Sequence, residues 1–310
     1  MKKLTVVLSN RWKKYGNIVL NTLLYLTTPT KGTIRSIIRP SLMQIKKMDK
    51  VCIFAHFDAA GEIADYVLFY WNALKDAGFN IILVSASGSL KSRDLDAARN
   101  ICYSIIVREN IGYDFVSWKV ALREFPEVFS AQELLLANDS VFGPLFPIVD
   151  VLKKMIADPA DVVGLTECRI FYPHAQSYFC LVKQRALPAL RFFFSRVGFI
   201  PDKRMLIKKF EIGFSKFIVR KGFKLGYLIP FSPAYKAWAA ENPTRAGRYN
   251  PTIDSWEELI QLYKYPFIKR ELFVKNALSL DNVKTILYRN ESSYQTSLID
   301  SYLSSRQQLS

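Results

Sequence analysis

Histidine is almost absent. His56 and His174 are the only two in 310 residues, and the four cysteines (Cys52, Cys102, Cys168, Cys180) contain no C-x-x-C pair. A zinc site needs several nitrogen and sulfur ligands at close spacing, so none is expected here. The scattered cysteines read as reduced thiols of a cytosolic protein, or simply as small core fillers. Long apolar runs are missing too. Ile18–Leu26 is broken by Asn21 and Thr22, well short of the roughly 20 residues a spanning helix requires. Leu4–Leu8 is cut off by Ser9-Asn-Arg11 and is too short for a secretory signal core. There is no internal repeat and no low-complexity linker.

Acidic residues are missing from one end. Residues 1–48 hold ten Lys or Arg and no Asp or Glu, so the chain from Asp49 onward carries 33 basic against 27 acidic residues, a balance of +6. Read as a helix, this basic extension puts Trp12, Tyr15, Val19, Leu23 and Leu26 on one face. Cations beside interfacial aromatics suit an anionic membrane surface, which would make the protein peripheral on the inner face of the cell membrane. An ordinary packed helix fits the same pattern. No recognised nucleic-acid motif accompanies the basic arm, so nucleic acid is not an expected partner.

What the chain does have is apolar and aromatic residues, half of the total, enough for a substantial core. From Lys50 strands and helices alternate. Strands are predicted at 51–57, 79–85, 103–107, 133–137, 161–165, 176–183 and 225–230. Helices are predicted at 63–78, 90–100, after Asp114, at 147–157, across 187–222 and at 256–263, with 230–249 as loop. Such alternation argues for an α/β fold with a mostly parallel central sheet flanked by helices. Three parts follow: a 1–48 basic extension, a 49–275 central domain of the size of a catalytic domain, and a 276–310 helical extension.

In a sheet of this kind ligands bind beyond the carboxyl ends of the strands. Polar groups gather there: His56 and Asp58, then Asn110, Gly112 and Asp114, then Asn138-Asp139-Ser140, then Thr166-Glu167. Gly112 permits close backbone approach, and Asp114 could cap the next helix or hold a ribose or base. Asp139 could support a divalent cation (Mg2+ or Mn2+) against a diphosphate, although a single acid makes a thin site. His174 lies just before the strand predicted at 176–183 and Gln176 and Ser177 open it, Lys269 and Arg270 follow an aromatic turn, and Glu211 is placed at a helix start.

Six segments in order give the chain a family resemblance: Asn110-Ile-Gly-Tyr-Asp-Phe115, Leu136-Ala-Asn-Asp-Ser-Val-Phe-Gly-Pro144, Gly164-Leu-Thr-Glu167, Gln176-Ser-Tyr-Phe179, Glu211 with Ser215, and Tyr265-Pro-Phe-Ile-Lys269. Over about Val51 to Phe273 it resembles the rhamnan synthesis F protein family, bacterial glycosyltransferases of surface polysaccharide assembly with a GT-A-type fold. The resemblance implies a nucleoside-diphosphate sugar donor, dTDP-rhamnose being the name-giving case, and a lipid-linked or oligosaccharide acceptor. Together with the strand-end placement, donor contacts are expected at His56, Asp58, Asn110, Gly112, Asp114, Asn138, Asp139 and Lys269, and acceptor contacts at His174, Gln176 and Ser177. Glu211 would be the general base of an inverting transfer, with Glu167 as its rival. Asn138-Asp139-Ser140 stands where related enzymes carry a D-x-D metal motif, and departs from it at both outer positions. A non-catalytic glycan- or nucleotide-binding scaffold is the alternative function.

Overall fold

The computed structural model describes residues 33–39, 48–242, 248–275 and 278–307. The amphipathic face expected around Trp12 to Leu26 lies outside them.

One sheet organises the chain. Its strands are β1 (Ile34–Ile38), β2 (Lys50–His56), β3 (Asn80–Ser85), β4 (Ser104–Arg108), β5 (Glu133–Asn138), β7 (Val162–Cys168), β8 (His174–Ala175), β9 (Phe179–Lys183) and β10 (Leu225–Ile229). They lie in the order β1-β4-β3-β2-β5-β9-β7-β10, with β8 paired to β7. Neighbours from β4 to β5 are parallel, as are β7 and β10, whereas β9 runs antiparallel to β5 and β7, and β1 antiparallel to β4. The sheet is therefore mixed but mostly parallel, with helices on both faces, the α/β architecture the alternation called for. A second, two-stranded sheet pairs β6 (Val141–Phe142) with β11 (Ile268–Lys269).

Successive side chains of a strand point to opposite faces, so a strand covered on both sides must be apolar throughout. In β2, Cys52 and Phe54 join one buried cluster while Val51, Ile53 and Ala55 join the other. The same division runs through β3 and β5. Between β2 and β5 the chain changes direction. β2, β3 and β4 are laid down successively to one side, and then β5 returns to pair with β2 on the other. The crevice beyond these strand ends is the switch point where ligands of open α/β sheets sit.

Three local differences from the sequence reading have clear causes. Residues 230–249 were expected to be loop, yet Ser232–Glu241 is helical. Pro233 stands in the first turn, where its missing N–H has no intrahelical partner to lose. Glu211 was placed at a helix start, but helical structure begins eight residues earlier. Asp202 caps it by accepting from the Met205 amide at 2.7 Å, and the run continues through Lys203–Leu206, a π-turn at Ile207–Glu211, and Ile212–Arg220. Glu211 thus sits on the π-turn, a distortion common at functional sites.

Third, the segments set apart at either end touch the central body. β1 extends the sheet edge, and Val283, Ile286, Leu287 and Ile299 are buried in the same cluster as Phe54.

Candidate functional site

Beyond the carboxyl ends of the parallel strands lies a cavity of about 440 Å³, lined among others by Asp114, Asn138, Gln176, Ser177, Glu211 and Lys269. These six come from five separate stretches of chain, and the fold brings them to one place. A hydrogen-bonded relay runs along the wall. Lys269 Nζ donates to Ser140 Oγ at 3.2 Å, Ser140 Oγ donates to Asn138 Oδ1 at 2.6 Å, and Asn138 Nδ2 donates to Asp114 Oδ2 at 2.8 Å. Burial and the nearby Asp139 raise Asp114 to about 6, against the bond from Asn138. Burial lowers Lys269 to about 7, against the pull of Glu211 and Asp114. Its ammonium lies 3.6 Å from the centroid of the Tyr178 ring, a cation–π contact that holds it at the cavity wall. Asp114 is not the helix cap. That place belongs to Gly112, whose φ of +82° suits glycine, and a Cβ there would stand 2.3 Å from Val116 Cγ2.

The chain alternates at Asn138-Asp139-Ser140. Asn138 and Ser140 line the cavity, and Asp139 between them turns away. Its Oδ2 meets Arg270 Nη1 at 3.5 Å and accepts from the Phe57 amide at 3.4 Å. Arg270 also donates to the hydroxyls of Tyr66, at 2.7 Å, and Tyr302, at 3.1 Å. A divalent cation needs several free oxygen ligands. Asp139 already has a cationic partner, Asn138 Oδ1 already accepts twice from Ser140, and no group of three His, Cys, Asp or Glu gathers among the described residues. The residues present do not fit a resident metal ion.

Glu211 has three donors. Ser177 gives its amide, at 3.1 Å, and its hydroxyl to Oε2, and His174 Nε2 stands 3.3 Å from Oε1. Burial alone would raise this carboxyl, but His174 and Ser177 outweigh it and hold Glu211 ionised. Burial opposes a charge on His174 as well, yet the Cys168 thiol and Glu211 bring it up to about 10. Its Nδ1 donates to the Tyr172 carbonyl at 2.6 Å. The two form an imidazolium–carboxylate pair. His174, expected among acceptor contacts, is instead a partner of Glu211. Gln176 lines the cavity with its amide tied into a network through Thr166 and Asn250.

The other expected residues lie outside this lining. Glu167 accepts from Arg169 Nε at 2.6 Å and from the Phe231 amide at 3.1 Å. His56 is buried against Ser85 Oγ at 3.1 Å, and burial lowers its pKa despite Asp139 and Asp58. Asp58 accepts from the amides of Ala60 and Glu62 and pairs with Arg306. Asn110 is exposed. Sequence reasoning missed Arg306 and Tyr302, both on the helix Ser297–Gln307, because nothing in a polar helix announces which carboxylate it will meet. It also missed Asn250, although Asn-Pro-Thr at 250–252 is a readable cap: Asn250 accepts from the Thr252 amide and Pro251 opens the helix.

Among known proteins, residues 81–310 match the family described as rhamnan synthesis protein F. That match starts later than the expected Val51, contains all six motif segments, and reaches past Phe273 to the end of the chain. Virulence protein VirA of Vibrio anguillarum is 30% identical over 230 residues, covering 66% of this chain and 72% of VirA. The uncharacterized protein y4gN of Sinorhizobium fredii is 27% identical over 177 residues, or 53% of this chain and 45% of that protein. A solved mannosyltransferase of Pyrobaculum calidifontis, in complex with GDP-mannose and Mn2+, aligns with a TM-score of 0.41 and 12% identity over 98% of this chain and 91% of its own. At that score the likeness carries no argument about the site.

Proposed function

Because the chain belongs to the rhamnan synthesis protein F family, we propose that its cavity performs an inverting glycosyl transfer from a nucleoside-diphosphate sugar to a growing surface polysaccharide. The observation that carries this reading is the meeting, in one cavity, of a cation on a polar relay and an ionised carboxylate. A sugar nucleotide presents two negative phosphates next to an electrophilic anomeric carbon, and a glycosyl acceptor presents a hydroxyl. Lys269 supplies the positive charge for the first, Glu211 the base for the second.

In the proposed step the acceptor oxygen bonds to the anomeric carbon as the bond from that carbon to the diphosphate oxygen breaks. The hydroxyl proton passes to Glu211, and the nucleoside diphosphate leaves with the bonding electrons. A carboxylate oxygen can accept two hydrogen bonds, so Glu211 Oε1 keeps capacity beside His174 for the acceptor hydroxyl. His174 does not take the proton, since it already carries one. It keeps Glu211 ionised and aimed. Asp114 offers an acceptor for a hydroxyl of the nucleoside sugar or an N–H of the base, and Lys269 balances charge as it grows on the leaving diphosphate. The donor proposed is dTDP-rhamnose or a similar sugar nucleotide, and the acceptor a lipid-linked or free oligosaccharide at the inner face of the cell membrane.

Purified protein incubated with a panel of sugar nucleotides and oligosaccharide acceptors tests the reading. Donor-specific release of nucleoside diphosphate is expected, with an inverted anomeric configuration by NMR. General-base catalysis contributes about 10²–10⁴ in rate, so Glu211→Gln should lose at least that lower factor while keeping donor affinity. The scaffold alternative draws on one observation, the three donors already engaging Glu211. It requires sugar-nucleotide binding with no turnover for any acceptor, and near-wild-type turnover in Glu211→Gln sinks the base assignment.

A further inference from the structure

From Asp49 onward, the positive charge of the chain is concentrated in one segment. Residues 187–224 carry ten Lys or Arg against two acids, Asp202 and Glu211, a balance of +8. Everything from Asp49 onward sums to +6, so the rest of that part is slightly acidic. The segment folds as the helix Leu187–Ser195 and the run from Lys203 to Arg220, and its cations point outward. Arg191, Arg196, Lys203, Arg204, Lys208, Lys209, Arg220, Lys221 and Lys224 are all exposed, while Glu211 turns inward to His174.

Large apolar side chains stand among these cations. Phe192 is 41% exposed and stacks on Phe217 at 5.8 Å between ring centroids, with Arg196 over it at 3.7 Å and Lys221 at 5.3 Å. Val219 is 50% exposed. On the other flank of the same helical run, Phe171 and Tyr172 are 68% and 37% exposed, and Lys208 and Lys216 reach over their rings at 4.4 and 4.3 Å. These contacts link the two flanks into one continuous face, with a shallow groove of about 300 Å³ between Phe193, Lys209, Lys216 and Phe217.

We propose that this face docks on an anionic phospholipid bilayer, with Phe171, Tyr172, Phe192 and Val219 entering the interface and the surrounding Lys and Arg meeting lipid phosphates. Aromatic rings with long basic side chains snorkelling beside them match the two layers of a membrane surface, apolar below and anionic above. Its residues are distinct in sequence from the basic stretch 1–48. It also backs directly onto the cavity: Lys203, Leu206 and Ile207 line the cavity from the run that displays Lys208 and Lys209 outside. No described helix is long and apolar enough to cross a membrane, so this attachment is peripheral. The proposal does not depend on the glycosyl-transfer reading, and binding is measured without turnover.

The full chain is tested by co-sedimentation with vesicles of phosphatidylcholine alone and with about one third phosphatidylglycerol. Each near-surface cation is worth roughly fivefold in partitioning. The quadruple variant Arg196→Glu, Lys209→Glu, Arg220→Glu and Lys221→Glu should therefore lose at least about a hundredfold on anionic vesicles. Because residues 1–48 are also basic, a local reading is needed. All four native cysteines are buried, so Phe192→Cys takes a polarity-sensitive dye selectively. Its emission should shift to the blue on anionic vesicles and be quenched by nitroxide lipids. A dye at Leu262→Cys, an exposed site outside the face, should stay in water. Vesicle binding that leaves the Phe192 dye in water, or survives the quadruple variant, overturns the proposal. So does an absence of vesicle binding, including the case of salt-sensitive binding to RNA or DNA oligonucleotides instead.

Discussion

Raising the pH from 7 to 9 should weaken donor binding steeply, through one side chain. Lys269 is half-buried on β11, and burial lowers its ammonium to about 7 although Glu211 and Asp114 pull the other way. If only the charged form holds the diphosphate, affinity follows the protonated fraction. For a group of this pKa that fraction falls about fiftyfold over the interval, each unit beyond the pKa being a factor of ten. Asp114, at about 6, is ionised throughout, and His174, at about 10, stays mostly protonated, so neither imitates the effect. The diphosphate of dTDP-rhamnose keeps both charges over this range. Titration calorimetry at pH 7, 8 and 9, in buffers of different ionisation enthalpy, measures affinity and proton uptake together. Wild type should take up about half a proton at pH 7. Lys269→Met should bind weakly at pH 7 with no further loss, and Lys269→Arg should bind well at every pH because guanidinium stays charged. A wild-type affinity that is flat from pH 7 to 9, or a slope that persists in Lys269→Met, refutes the reasoning.

Two more perturbations read the ion pairs. In His174→Gln the imidazolium no longer holds Glu211 down, burial dominates, and the acid limb of the turnover profile should move to higher pH by about one unit or more; uniform loss at every pH would mean that His174 only supports the fold. The same histidine has a raised folded-state pKa, so its stabilisation is complete below about 6.5 and is lost as pH rises through about 10, which melting temperatures of wild type against His174→Gln over pH 6–11 should follow. Arg270→Met strands a buried Asp139 and should cost about 3–5 kcal/mol by denaturant titration, with Arg270→Met/Asp139→Asn recovering more than half; equal losses in the single and double variants would show that the pair is not what matters.

The sheet was legible because its strands are apolar on both sides. Runs such as 79–85 and 133–137 are too short for a buried helix and fit strands covered on both faces, and the helix at 256–263 was readable from its period. Long-range pairing was not legible. Arg306 reaches Asp58 across 248 residues, and no local pattern marks such a pair. Glu211 was recognisable as a residue, but its position on a π-turn depends on a cap at Asp202 that propensity did not reveal.

The triplet Asn138-Asp139-Ser140 is the most instructive of these cases. Compared with a D-x-D motif it looks defective, one carboxylate where two are wanted. In space the outer pair faces the cavity and the middle residue does not. A D-x-D triplet would set its two carboxylates where Asn138 and Ser140 now stand, within reach of Lys269 and Asp114. Amide and hydroxyl there leave the wall neutral at both positions, and Ser140 accepts from Lys269, which brings a cation to the wall instead. The neutral residues at 138 and 140 and the lysine 129 residues further on then act together on a negative phosphate. On that argument, turnover should survive removal of divalent ions by a chelator and fail with Lys269→Met. Activity abolished by chelation and restored by Mn2+, with Lys269→Met unaffected, would reverse the assignment.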